Sequence, residues 1–475
     1  TDDGTAAPDG DGPNGAKRFY VGRIAVTDEE QAPIVVDWRA PVAEPFYRAT
    51  GVEPMGVVRR RHFLTRPGHG RELVAIDDEV FDRDAADASG LTVMGEAALL
   101  AALEKARTGR MSDIVATIQA EQDEAIRAQL PGVLVVAGGP GTGKTAVALH
   151  RAAYLLYTYR KQLSARGVLL IGPSSIFLRY IDQVLPSLGE EDVQLATIGG
   201  LKPQLSMTGT DAPELARLKG DARMASVVER ALRDRERALP RDLVFSLDGT
   251  ILRIRRSASE GIVSRARRRR GAHNEKRPQI VRALVDSLRA QYRSALGAAA
   301  PDDRDWDRDI DSRLRRLPDI RAALDRMWPV LTGAELVHDL FSFPELVRSA
   351  SNDILSRADQ DALVRPRSAS VRDVPWTEAD LALIDEADAL LGPPEAARPR
   401  RARSRKRRDD DAASRVVAEL GVGGFITASE LARRYGGDDA AGRDAEPDEP
   451  RTFGHVVVDE AQDLSAMQWR MLARR

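Results

Sequence analysis

The stretch Gly138-Gly139-Pro140-Gly141-Thr142-Gly143-Lys144-Thr145 constrains this chain more than any other. It meets the pattern of glycine, four spacers and Gly-Lys-Thr, in which a glycine-rich turn lets backbone N–H groups close around phosphate oxygens. Its context agrees: Val133-Leu134-Val135-Val136-Ala137 predicts a buried strand before the loop, and Ala146 to Tyr157 reads as a helix after it. The helix N-terminus adds the positive end of its dipole, Lys144 a point charge for the β and γ phosphates, and Thr145 a hydroxyl for Mg²⁺. The expected ligand is therefore a nucleoside triphosphate, ATP or GTP, with Mg²⁺. Strand, loop and helix in that order predict an α/β P-loop NTPase core with a parallel sheet.

Such a loop needs a second, acidic strand end, where one carboxylate holds the metal and the next polarises the attacking water. The chain offers two acidic quartets. Ile384-Asp385-Glu386-Ala387-Asp388 spells the acidic box of many RNA helicases, but its surroundings are helical. Thr377 with Asp380 resembles a capping pair, and Leu381, Ile384, Ala387 and Leu391 follow at helical spacing. In Val456-Val457-Val458-Asp459-Glu460-Ala461-Gln462-Asp463, by contrast, three valines favour a strand with the acids at its carboxyl end, where open parallel sheets bind ligands. Asp459 is therefore expected to hold Mg²⁺, Glu460 to act as catalytic base, and Gln462 to sense the γ-phosphate or the water. Gln122, sixteen positions before Gly138, carries a donor and an acceptor that could read the adenine edge.

Composition narrows the rest. Lys plus Arg total 71 against 73 acidic residues, so any basic surface must be local. Cysteine is absent, which excludes disulfides, thiolate nucleophiles and cysteine-based zinc sites and is compatible with the cytoplasm. No apolar run approaches the roughly 18 residues of a membrane span. The expectation is a cytoplasmic monomer without membrane contact.

Along the chain, residues 1–16 read as a disordered tail and 17–95 as a small β-rich module. Its strand signals are Phe19 to Val26, Ile34 to Trp38, Val57 to Leu64 and Leu73 to Ile76. Arg59-Arg60-Arg61 reads as the charged face of one of them. Helical spacing takes over at Glu96 to Arg107 and from Ser112 onward. Residues 96–200 form the first part of the ATPase core, including a strand at Gly167 to Ile171, the turn Gly172-Pro173-Ser174-Ser175 and a helix from Ile176 to Val184. Residues 201–450 read as a large, mainly helical insertion, and 451–475 return to the core. Within the insertion, Ser264 to Arg270 is a dense basic run that could meet phosphate or an acidic protein face, and a solvated helix face is equally consistent with it. Residues 393–415, with the basic run Arg398 to Arg408 followed by Asp409, Asp410 and Asp411, read as a disordered charged loop.

Taken together, Gly138 to Thr145, Gln122 and Asp459-Glu460-Ala461-Gln462-Asp463 resemble superfamily 1 helicases of the UvrD-like group. Further stretches are similar to the HelD family of bacterial RNA polymerase-associated ATPases: Tyr20 to Ile24, Val36 to Tyr47, Asp113 to Arg127, Leu185 to Glu190 and Met327 to Thr332. That resemblance implies a RecA-like domain 1A that binds core RNA polymerase and releases it from nucleic acid for reuse under the control of ATP. It implies, too, that Asp409, Asp410 and Asp411 could approach the polymerase's catalytic metal. Because the sequence stops shortly after Asp463, the second RecA-like domain and its arginine are expected to lie elsewhere, leaving these residues alone inactive in hydrolysis. The competing expectation is a 3′ to 5′ DNA helicase or translocase in repair, with Gly172 to Ser175 tracking single-stranded DNA. A third is a nucleotide-dependent binding module without turnover.

Overall fold

The computed structural model describes residues 18–50, 52–65, 73–81, 118–163, 165–185, 193–297, 303–393 and 452–475. They divide into two compact units. The first holds the residues up to Thr197 together with Thr452–Ala461, and the second holds those from Ile198 onward together with Gln462–Arg475.

In the first unit the short strands appear where turn residues punctuate the sequence. β1 (Tyr20–Gly22) runs parallel to β3 (Pro33–Asp37), which pairs on its other edge with the antiparallel β2 (Val26–Thr27). β4 (Arg59–Thr65) and β5 (Leu73–Val80) form a separate hairpin. The arginine cluster on β4 is a paired face, since Arg60 Nε donates to Glu79 at 3.0 Å and Arg61 Nε to Asp78 at 2.5 Å. The segment after β3 is the fastening of this module. Trp38 is fully buried, Asp37 and Arg39 form a buried pair beside it, and Arg127 of the helix Ala120–Arg127 donates to the Trp38 carbonyl at 2.8 Å. Arg127 is itself held by Asp123, which is fully buried.

The core sheet has the order β10 (His455–Val458), β6 (Val168–Ile171), β7 (Val193–Ala196) and is parallel throughout. β6 (Val168–Ile171) lies in the middle with every residue buried, and β7 (Val193–Ala196) lies on one side. A strand enclosed on both faces and both edges leaves no position for a polar side chain, which is why β6 reads Val-Leu-Leu-Ile.

The described residues of the second unit are mainly helical and form two cores. One gathers Val227, Val337, Phe341, Trp376, Leu383 and Met467; the other gathers Leu252, Ile280, Leu288, Leu314, Ile320 and Trp328. Its exception is a hairpin, β8 (Leu243–Leu247) and β9 (Thr250–Ile254), turned by Asp248 and Gly249. The chain then returns to the first unit for β10 (His455–Val458), and leaves it again after Ala461.

Two sequence expectations change. Val133 to Ala137 is not a strand: among the described residues nothing pairs with it, and Val133 and Val135 are 93% and 81% exposed. A β-branched run supplies propensity, but a strand exists only where a neighbour completes its ladder. The helix leading to the loop begins at Ala120, with Ile118 and Gln119 outside it. The tail 1–16, the helix expected at Glu96 to Arg107, and the charged loop beyond residue 393 with Asp409, Asp410 and Asp411 lie outside the described residues.

Candidate functional site

The loop residues Gly138, Gly139, Pro140, Gly141, Thr142 and Gly143 lead directly into the helix Lys144–Thr158. Gly141 and Gly143 have φ of 78° and 81°, the left-handed region that glycine adopts without strain. Thr142 closes the turn internally, its hydroxyl donating to the Gly139 carbonyl at 2.9 Å. The Lys144 ammonium lies over the same turn, bonded to the Gly138 and Gly139 carbonyls at 2.9 Å each. Charge, helix N-terminus and glycine turn thus converge at one place.

Gln122 reaches this loop. Its Nε2 donates to the Thr142 carbonyl at 3.1 Å, while its Oε1 accepts from the Gln119 N–H at 3.1 Å and caps its own helix. Both halves of the amide are engaged, so reading an adenine edge would mean exchanging those bonds. The two helices are joined by Arg151, which sequence reasoning passed over inside an apolar helix. Its guanidinium donates to the carbonyls of Ala125, Ala128 and Gln129 at 3.1, 2.6 and 2.9 Å, closing the C-terminal end of Ala120–Arg127. Burial lowers the Arg151 pKa from its ordinary value. Burial first, and then the charge of Arg151, push His455 at the start of β10 down to about 4. His150, whose Nδ1 lies 2.7 Å from the Ala146 carbonyl, is likewise lowered by burial. For both imidazoles, burial disfavours the charged form.

The acids arrive from the far end of the sequence. β10 carries the ladder to its end, where the Asp459 N–H donates to the Ile171 carbonyl at 3.0 Å. Asp459 Oδ2 then accepts the Thr145 hydroxyl at 2.9 Å, joining residues 314 positions apart. Its other oxygen accepts the Glu460 N–H at 3.0 Å. Glu460 has φ of 51°, uncommon for a residue with a side chain, and it stands exposed at the strand end. Gln462 lies two residues on, exposed in the single turn Ala461–Asp463.

The other acidic quartet falls, as its spacing predicts, inside the helix Glu378–Leu391. Thr377 caps that helix, accepting from the Asp380 N–H at 3.2 Å. Each of its acids has a partner in the second unit. Asp385 accepts from Arg474 at 2.9 Å and Arg475 at 2.8 Å, Glu386 from Arg470 at 2.8 Å and from Arg474, and Asp388 from the Gly333 N–H at 2.7 Å and Lys202 at 2.5 Å.

The glycine turn at the head of a helix thus stands beside an acidic strand end, and a family model described as UvrD/REP helicase N-terminal domain matches residues 118–171, from just before Gln122 to the end of β6. A second model, described as DNA helicase IV HelD, N-terminal domain, matches residues 5–90. Together the two matches support a HelD/UvrD-like family member. No curated protein matches it. The matches point to an ATP-hydrolysing, helicase-like enzyme, and UvrD-like helicases in general use ATP with Mg²⁺. The residues present fit both ligands. A hydroxyl and a carboxylate oxygen already in contact suit an ion that is bound by one or two protein oxygens and keeps its waters, and the glycine turn under Lys144 suits a triphosphate. Among the described residues, no helix is long and apolar enough to cross a membrane.

Proposed function

We propose that this chain is the first motor domain and insertion of a cytoplasmic ATPase that binds bacterial core RNA polymerase and releases it from nucleic acid. The observation that carries the nucleotide part is the contact between Thr145 and Asp459, which sets the hydroxyl that ends the glycine loop 2.9 Å from a carboxylate at the end of a parallel strand, the pair of oxygens a Mg²⁺–nucleotide site uses. Lys144 would neutralise the β and γ phosphates and Gln122 would contribute adenine selection. Mg²⁺, held by Thr145 and Asp459, would supply charge stabilisation on the phosphates. Glu460 would accept the proton of the attacking water, and Gln462 would orient that water or report the γ-phosphate. The polymerase part rests on the HelD match alone. Asp409, Asp410 and Asp411 are proposed to contact the polymerase.

A specific observation favours a second reading, in which single-stranded DNA is the activator. After the exposed turn Pro173-Ser174-Ser175, Ile176 and Tyr180 are 70% and 41% exposed on one side of the helix Ser175–Val184, with Arg179 exposed between them. An exposed aromatic with a neighbouring guanidinium is a platform for a base. The two readings separate when ATP hydrolysis by the complete polypeptide is titrated with core RNA polymerase and, separately, with single-stranded DNA, each beside a Lys144→Ala control. Stimulation by polymerase with little response to DNA is expected. Strong stimulation by DNA alone would replace the polymerase reading with a helicase.

A further inference from the structure

We propose that the arginines ending the helix Arg256–Arg268 form a docking surface for the phosphodiester backbone of nucleic acid, separate from the nucleotide site. The helix is seated by Ile262, Val263 and Ala266, all buried in the second core of its unit. Arg269 then turns extended, with φ of −78° and ψ of 145°, and Gly271, at φ of 115°, leads into the helix His273–Leu296. Ser264, Arg265 and Arg267 to Arg270 are left facing solvent.

Internal bonding accounts for only part of this charge. Arg267 donates to the Arg233 carbonyl at 2.9 Å and to the Glu236 carbonyl, and its Nε lies 3.4 Å from the Glu236 carboxylate. That contact draws the turn carrying the exposed Arg237 alongside. Arg269 meets only the neutral amide of Gln279. Among the described residues, the side chains of Arg237, Arg265, Arg268 and Arg270 have no hydrogen bond or ion pair, Arg237 being held only through its N–H to the Met327 carbonyl at 3.1 Å. The same unit shows what an arginine-rich face looks like when it serves the fold. In the helix Arg304–Arg316, Arg308 pairs with Asp305, Arg313 with Asp248 and Asp309, and Arg315 with Asp311. A helix C-terminus favours a cation or two through its dipole, a role Arg267 can fill, and the remaining guanidiniums are surplus to it.

The chemistry of the surplus selects the partner. Guanidiniums three and four positions apart on a helix are neighbours and bind phosphate bidentately. No aromatic lies among residues 264–270, so bases have nothing to stack on and the surface would track backbone without reading sequence. An acidic protein face would bring the same negative charge as phosphate, but a protein interface needs an apolar centre, and the apolar residues of this stretch are all turned inward. The inference draws on the helicase-family reading only for the presence of nucleic acid, and it does not require the polymerase.

The test uses the complete polypeptide without nucleotide, comparing the parent with Arg265→Ala/Arg268→Ala/Arg270→Ala. Binding to a short DNA duplex, and separately to RNA of equal length, is followed by fluorescence anisotropy from about 50 to 200 mM salt. The alanine variant is expected to bind at least ~10-fold more weakly, with the slope of log affinity against log salt shallower by about 0.9 for each phosphate no longer neutralised. The triple lysine variant should keep most of that slope, and the DNA and RNA arms show which backbone is preferred. Unchanged affinity and slope on both would overturn the proposal. So would intact nucleic-acid binding with weakened polymerase binding, which would make the surface a protein contact. Polymerase-stimulated ATP hydrolysis, measured with the same variant, is a separate readout, so failure here leaves the motor reading standing and the reverse also holds.

Discussion

Two stretches of this chain spell nearly the same acids, and the fold treats them oppositely. Asp385, Glu386 and Asp388 lie within a helix whose neighbours bring Arg470, Arg474, Arg475 and Lys202 onto them, so their charge is consumed in holding the second unit together. Asp459 and Glu460 stand at the end of a parallel strand. There Asp459 meets a hydroxyl and a backbone N–H, and among the described residues no cation is paired with it. The difference teaches that an acid becomes available to a metal or a water when its backbone context keeps countercharge away. The letters Asp-Glu-Ala do not decide it.

The largest effect that could break this contrast is kinetic. In the complete polypeptide, Glu460→Gln is expected to lower ATP turnover about 10²- to 10⁴-fold, the range for removing a general base, whereas Glu386→Gln should leave it within about a factor of two. Equal losses would mean that both quartets serve the chemistry. Equilibrium unfolding in urea should show the reverse ranking. Asp385→Ala strands the buried Arg475 and should cost about 3–5 kcal/mol, while Asp459→Ala should cost about 1 kcal/mol from its missing hydrogen bonds. A small loss at Asp385 would show that the arginines find other partners.

The smallest effect sharpens the comparison through pH. His455 on β10 is held near 4 when folded, against about 6.5 unfolded, so the unfolded chain binds the extra proton and stability falls as pH drops from about 6.5 to 4, by up to about 3 kcal/mol. Below that the contribution is flat. Around Glu386 burial pushes the carboxyl up, and hydrogen bonds from Arg470 and Arg474 more than reverse this, leaving it below the usual range. Its contribution is present above the unfolded carboxylate value and is lost only as pH falls below about 4.5. His455→Gln should flatten the upper window of a stability–pH curve and leave the lower one. A slope surviving in the upper window would assign it to another group.

What could be read from sequence follows the range of the forces involved. The phosphate loop, the Thr377 cap with Asp380, the strand His455–Val458 and the turn into Ser175–Val184 depend on residues a few positions apart, and each formed where spacing placed it. The β8–β9 hairpin was equally local. Asp248 and Gly249, at φ of 48° and 80°, are the turn pair that alternating apolar flanks announce, and that signal was missed. Val133 to Ala137 shows the opposite error, since strand propensity is local whereas a ladder partner is not.

By itself, then, the sequence determined that a glycine turn leads into a helix at Lys144 and which acidic quartet ends a strand, because glycine dihedrals, helix caps and β-branched side chains act within one turn of the chain. Tertiary structure alone decided the rest. It brought Asp459 to Thr145, set Arg151 under the end of the Gln122 helix, and gave Asp385 and Glu386 partners 84 to 90 positions away. Hydrogen bonds and ion pairs act over a few ångströms, and which distant segments come that close is settled only when the cores pack.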